Sequence, residues 1–241
     1  MSDILLQLRG VHTHIGAYHI LHGVDLAVPT GQLTMLLGRN GAGKTTTLRT
    51  IMGLWRASAG TICFDGQDIS SDETPAIAAR DIAYVPENMG IFSDLTVKEN
   101  MLLAARNARR LKDMDEQRLQ WIFSMFPSVE KFWNHPAGKL SGGQKQMLAV
   151  SRAIVEPRRL LIVDEPSKGL APSMVNNMVD AFAKLKASGT TVLLVEQNVG
   201  FATRLGDYVA VMDDGHVVHA STMPEFSEDA ALQRSLLGLA L

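Results

Sequence analysis

The chain has 241 residues, 46% of them hydrophobic and 20% charged, which is ordinary for one sizeable globular domain or one domain carrying an insertion. Its 23 basic and 25 acidic residues leave a formal net charge of −2, which excludes both a basic nucleic-acid footprint and a polybasic membrane anchor. A single cysteine, Cys63, excludes an intrachain disulfide, and no apolar run approaches the ~20 residues that span a bilayer.

The opening MSDILLQLRG lacks the basic start and long apolar run of a secretory leader, so a cytosolic chain is expected, unless a partner holds it at a membrane. Leu5–Arg9, Val24–Val28 and Leu33–Leu37 read as short strands punctuated by Gly23, Pro29 and Gly31. His12 and His14 share a face two residues apart, with His19 and His22 out of register. That pattern fits a solvated face, or a metal site if further ligands come near.

GRNGAGKTTTLRTIMGL then turns from a Gly-rich loop into a helix, and TICFDG and IAYVPE are further strands. From about Asn88 to Leu140 the pattern is helical. The capping box Thr96-x-x-Glu99 predicts a helix to about Leu111, and Asp115 caps another through about Phe126, ended by Pro127. Residues 88–140 are expected to form an inserted helical subdomain within a single 1–241 domain. Met89, Met101, Met114 and Met125 fall partly in this block, as core or as the lining of a groove. Ser141-x-x-Gln144 is a second capping box, opening a helix to about Val155. RLLIVDE reads as a central parallel strand, and Pro172 and Gly189 bracket a helix. TTVLLVEQ, YVAVMD and HVVHA are strands, the last two joined by an Asp214-Gly215 turn. Alternating strand and helix predicts an α/β sheet.

Gly38-Arg39-Asn40-Gly41-Ala42-Gly43-Lys44-Thr45 matches the phosphate-binding pattern G-x-x-x-x-G-K-[ST] in full. Backbone N–H groups of such a loop form an anion nest, and the following helix, through Thr45 and Thr46, aims its positive end at the phosphates. Lys44 is placed to reach the β- and γ-phosphates and the Thr45 hydroxyl to ligate Mg2+. No Asn-Lys-x-Asp guanine reader is present, which favours ATP. LLIVDE delivers two carboxylates at the end of a strand: Asp164 for the Mg2+ and Glu165 for the attacking water as general base. At Ser141, Gly142, Gly143 and Gln144 a bare, capped helix start offers a second phosphate site, best used by the nucleotide of another subunit.

GRNGAGKTT, LSGGQ and LLIVDE, in this order around a helical block, resemble the ATP-binding subunit of an ABC transporter over nearly the whole chain. The resemblance implies a P-loop core with a parallel sheet, an N-terminal antiparallel β subdomain and the helical insert. It implies a head-to-tail dimer with two ATPs at the interface, the signature residues Ser141–Gln144 acting in trans. It also implies docking near Glu87 onto two membrane permease subunits, a substrate-binding protein reached indirectly, no nucleic acid, and a peripheral place on the cytoplasmic face of the inner membrane. The run VPE, PSKGLAP and LVEQN is most similar to the LivF-type subunits of branched-chain amino acid importers. Other transport ATPases (urea or amide import, lipid-type export), a soluble ABC regulator and a nucleotide-sensing module remain as alternatives.

Within that family Glu87 stands where glutamine is usual, with a metal-side role, and Gln197 where histidine is usual, either contacting the γ-phosphate or capping its strand. Ile15 replaces the usual adenine-stacking aromatic; Tyr18 is a candidate substitute, or else a packed loop residue. Asn88-Met89-Gly90 departs from the branched-chain pattern beside the permease contact. Lys168 occupies a usually apolar place, to pair with an acidic residue of the partner protomer or to be solvated.

Overall fold

The computed structural model describes residues 3–237, so residues 1–2 and 238–241 of the expected domain lie outside the described residues. In chain order the elements are β1 (Ile4–Ile15), β2 (Tyr18–Pro29), β3 (Leu33–Gly38), α1 (Lys44–Ile51), β4 (Ala57–Phe64), β5 (Gln67–Asp68), α2 (Thr74–Ala79), β6 (Ile82–Val85), α3 (Val97–Ala104), α4 (Glu116–Met125), α5 (Pro127–Lys131), α6 (Gly142–Ala153), β7 (Leu160–Asp164), α7 (Pro172–Ala187), β8 (Thr191–Glu196), α8 (Val199–Leu205), β9 (Tyr208–Asp213), β10 (His216–Thr222), α9 (Met223–Glu228) and α10 (Ala230–Leu237).

An antiparallel sheet runs β2-β1-β4-β5, and a six-stranded sheet runs β10-β9-β3-β8-β7-β6. The second is parallel except at its edge, where β10 folds back on β9 through the expected Asp214-Gly215 turn. Residues of β3, β7 and β8 are buried throughout, as strands covered on both faces must be. Their side chains sort by the two-residue period of a strand. Leu33, Met35, Leu37, Leu161, Val163, Val192 and Leu194 face one core, shared with the helical insert, α6, α7 and α8. Leu36, Leu160, Ile162, Leu193 and Val195 face the other, beneath the antiparallel sheet and α1.

The helical insert differs from expectation at two places. α3 ends at Ala104, not near Leu111, because the chain beyond is tied elsewhere. Arg106 pairs with Asp81 at 2.6 Å and Glu156 at 3.3 Å, and Asn107 N–H donates to Glu156 at 2.9 Å. Pro127 does not merely stop α4; it opens α5 at the first helical position, where its missing N–H costs nothing. Both capping boxes are formed, at Thr96/Glu99 and Ser141/Gln144. Met101, Met114 and Met125 are core and Met89 is half-buried against it. Helices α2, α8, α9 and α10 were not foreseen; α8 and α9 carry side-chain caps at Asn198 and Thr222.

The histidines differ as well. Register shifts in the β1–β2 hairpin pair His12 with His22 and His14 with His19. The rings of His14 and His19 stack at 4.1 Å, His19 and His22 lie 4.1 Å apart, and His216 of β10 stacks on His22 at 5.2 Å. Stacked faces do not converge on a point, and among the described residues no group of three potential ligands could hold a metal.

Desolvation, then the neighbouring His19 and His216, lower the pKa of His22 against the opposing pull of Asp214. The unfolded chain therefore takes up this proton first, at its ordinary value near ~6.5. Neutral His22 contributes its full stability above that pH and loses it as pH falls. We expect the thermal midpoint to drop between pH 7.5 and 5.5, and the drop to shrink in His19→Gln, measured by calorimetry.

Candidate functional site

β3 ends at Gly38 and α1 begins at Lys44, so the phosphate-loop motif occupies the strand-to-helix turn. At Gly38 (φ +153°) an added Cβ would run into the Met212 carbonyl oxygen. Gly43, at the helix start, has φ +103°, and a Cβ there would lie 3.0 Å from Leu21. The turn after β9 braces the loop: Gly215 N–H donates to the Ala42 carbonyl at 3.0 Å, and Gly215 accepts from His22 N–H at 2.9 Å. α1 has no side-chain cap and no acid in its first turn, leaving its first N–H groups for an anion. Arg39 turns aside and donates to Leu237 O of α10 at 3.4 Å.

Lys44 is only 5% exposed. Its Nζ donates to the carbonyls of Gly38 and Arg39, both at 2.9 Å, and lies 3.7 Å from Glu165. Burial lowers its pKa, opposed by Glu165 and Asp164. To reach a phosphate, Lys44 exchanges two carbonyl oxygens for phosphate oxygens, a small movement of an already oriented ammonium.

Opposite it lie the carboxylates. Asp164, at the end of β7, is fully buried, and neither oxygen has a hydrogen-bond partner. Burial, with the negative charges of Glu165 and Glu87, raises its pKa against the opposing pull of the neighbouring Thr45 hydroxyl and of Lys44. A buried carboxylate without partners is costly, and a hard divalent cation with oxygen ligands satisfies it. The donor set of Asp164, Thr45 and the nearby acids therefore fits Mg2+.

Glu165 follows in the left-handed region (φ +47°), uncommon for a residue other than glycine. Its Oε1 accepts from Gln197 Nε2 at 2.5 Å, and its Oε2 pairs with Lys168 Nζ at 3.2 Å. Burial works to raise the Glu165 pKa, but the hydrogen bonds from Gln197 and Lys168 and the charges of Lys168 and Lys44 outweigh it, and the carboxyl is held below its usual value. The ionised form is the one that accepts a proton from water.

Lys44, Asp164, Glu165 and Gln197 are thus brought together from the ends of β3, β7 and β8. Gln197 does more than cap its strand: its amide also donates to Asn40 Oδ1 of the phosphate loop at 2.7 Å. Lys168 needs no partner protomer, for it binds Glu87 at 2.6 Å as well as Glu165 within this chain. Tyr18 is not packed; it stands 76% exposed at the hairpin tip, paired across the turn with Ile15. Ser141–Gln144 form the start of α6, with Ser141 and Gly142 exposed. Among the described residues no hydrogen bond joins them to the phosphate loop.

One organising residue escapes a reading of motifs. Glu196 is 2% exposed and accepts from Ser167 N–H at 2.8 Å and Gln197 N–H at 3.2 Å, joining the loop after β7 to the loop after β8. Burial raises its pKa against those hydrogen bonds. Its signal in the sequence is an acid that ends an otherwise apolar strand. A cavity of about 550 Å3, lined by Asp25, Thr34, Tyr208 and Thr222 among others, lies between the two sheets and is lined by none of the site groups.

The family described as ABC transporter matches residues 21–168. The chain is 34% identical over 97% of its length to the high-affinity branched-chain amino acid transport ATP-binding protein BraG of Pseudomonas aeruginosa, covering 100% of that protein. It is 32% identical over 92% of its length to the glutamate transport ATP-binding protein GluA of Corynebacterium glutamicum, covering 92% of it. Among solved structures, a dimeric bacterial ABC transporter cassette superposes with a TM-score of 0.80 at 25% identity, over 90% of this chain and 98% of that one. A match over more than half the chain, joined to end-to-end relatives and a shared fold, places this protein in the ABC transporter family as an ATP-binding, ATP-hydrolysing cassette.

Proposed function

We propose that this chain is the ATPase subunit of an ABC importer for amino acids, and that branched-chain amino acids are the cargo. The cluster of Lys44, Asp164, Glu165 and Gln197 supports the hydrolytic part. End-to-end similarity to BraG supports the cargo. The similarity to GluA favours a second reading, glutamate as cargo, at nearly equal identity.

In hydrolysis the loop amides of Gly38–Thr46 and the start of α1 hold the phosphates, and Lys44 neutralises charge that builds on the transferred group. Asp164, with the Thr45 hydroxyl and Glu87 beside it, would hold Mg2+, which when bound offsets phosphate charge. Glu165 takes the proton of the attacking water. Gln197 swings its amide from Glu165 to a γ-phosphate oxygen, freeing Oε1 for that water. Tyr18, exposed at the hairpin tip, would cover the adenine. Ser141, Gly142, Gly143 and Gln144 serve the nucleotide of a second ATPase subunit, so an isolated protomer hydrolyses poorly.

No helix among the described residues is long and apolar enough to cross a membrane. Two permease subunits would hold this cassette at the cytoplasmic face of the membrane, docked on the helical insert of residues 88–140, and would link it to a substrate-binding protein.

Lys44→Ala removes a charge-assisted contact worth about 1.5–3 kcal/mol, so ATP affinity should fall about 10- to 100-fold in a fluorescent-nucleotide titration. Unchanged affinity would remove the phosphate-loop assignment. Glu165→Gln should retain ATP, accumulate a dimer on gel filtration and lose about 10²- to 10⁴-fold in phosphate release. The transporter itself is tested by affinity purification of the tagged chain from gently solubilised membranes. Two permeases and a second ATPase are expected. In that complex leucine with its binding protein should stimulate ATP hydrolysis; stimulation by glutamate alone selects the second reading.

A further inference from the structure

Lys168 lies in the turn that follows β7, three residues after Glu165. The turn is not loose. Lys168 N–H donates to the Glu165 carbonyl at 3.2 Å and Leu170 N–H to the Ser167 carbonyl at 3.2 Å. Ser167 N–H is in turn anchored on the buried Glu196 carboxylate. The backbone therefore presents the lysine at a fixed point. From there its Nζ reaches Glu87 Oε1 at 2.6 Å on one side and Glu165 Oε2 at 3.2 Å on the other. Glu87 comes from the end of β6, so a single ammonium joins two strand ends.

Lys44 is committed to the phosphates during hydrolysis, and Gln197 to the γ-phosphate. Lys168 is then the remaining side-chain cation within 4 Å of Glu165 among the described residues. Because it grips Oε2, the opposite oxygen, Oε1, is the one left to face water.

We propose that Lys168 is a positioning residue for hydrolysis: anchored on Glu87, it holds the Glu165 carboxylate with Oε1 toward the water. Lys168 has this role only if Glu165 is the base, as proposed above. Its side chain is 55% exposed and that of Glu87 is 46% exposed, so water screens the pair and it contributes little to stability. The consequence falls on turnover instead.

The test uses the transporter purified through the tagged full chain, with phosphate release followed against ATP concentration. Lys168→Met should lower kcat about tenfold, leave KM for ATP within about twofold, and leave the thermal midpoint in place. Lys168→Arg should recover most of the lost kcat. An unchanged kcat in Lys168→Met overturns the proposal. So does a kcat loss matched by a fall in thermal midpoint, or a Lys168→Arg variant no faster than Lys168→Met. Each of these, with Glu165→Gln inactive, leaves the ATPase reading standing. A fully active Glu165→Gln removes that reading and the proposal together.

Discussion

Burial of three parallel strands on both faces is the constraint from which the rest of this molecule follows. β3, β7 and β8 bury every residue, and no charged group stands along them short of their last residues. Polar chemistry is confined to the points where they emerge. Because the strands are adjacent and parallel, they emerge at the same edge. Gly38, Asp164 and Glu196 are the last residues of the three strands. The phosphate loop, the Glu165 carboxylate and the Gln197 amide come immediately after them. Two apolar cores, one on each face, keep those strands in register, and so hold the site groups at fixed separations.

Around that edge the groups satisfy one another. Lys44 is bound by its own loop, Glu165 by Gln197 and Lys168, Glu196 by the two loops it joins. Asp164 is the exception, a buried carboxylate with no donor. The contrast has a physical meaning. A carboxylate bonded to N–H groups has its charge stabilised in place, whereas one without donors is held for a cation that supplies far more. The strained backbone at Glu165 belongs to the same economy, since the left-handed turn points the side chain back toward the phosphate loop while the main chain leaves the sheet.

What the sequence made legible was local. The phosphate loop, the acidic strand end and both capping boxes are spelled within a few residues each, and the structure forms them where they are spelled. The buried strands were visible because a run of apolar residues admits few other conformations. What it concealed was decided at long range. α3 stops at Ala104 because Arg106 and Asn107 are bound by Asp81 and Glu156, residues distant in the chain. The histidines meet because of hairpin irregularities that no alternation pattern encodes. Lys168 finds its acids inside its own chain, 81 positions from Glu87, a pairing that only the sheet order brings about. Glu196 looked like the edge of a strand and is a buried junction between two loops.

The start of α6 differs in kind from the phosphate loop. There the capping box already uses the Ser141 oxygen as an acceptor for Gln144 N–H, and the Gln144 side chain as an acceptor for Ser141 N–H. The N–H groups of Gly142 and Gly143, in the first turn, are left without an intrahelical partner at a helix end that is already capped. An anion arriving there breaks nothing, while one arriving at the phosphate loop must first draw Lys44 off two carbonyls. In the shared nucleotide site proposed above, the two halves are therefore unequal in their reorganisation. One is a hand that must open before it can grip, the other a flat palm.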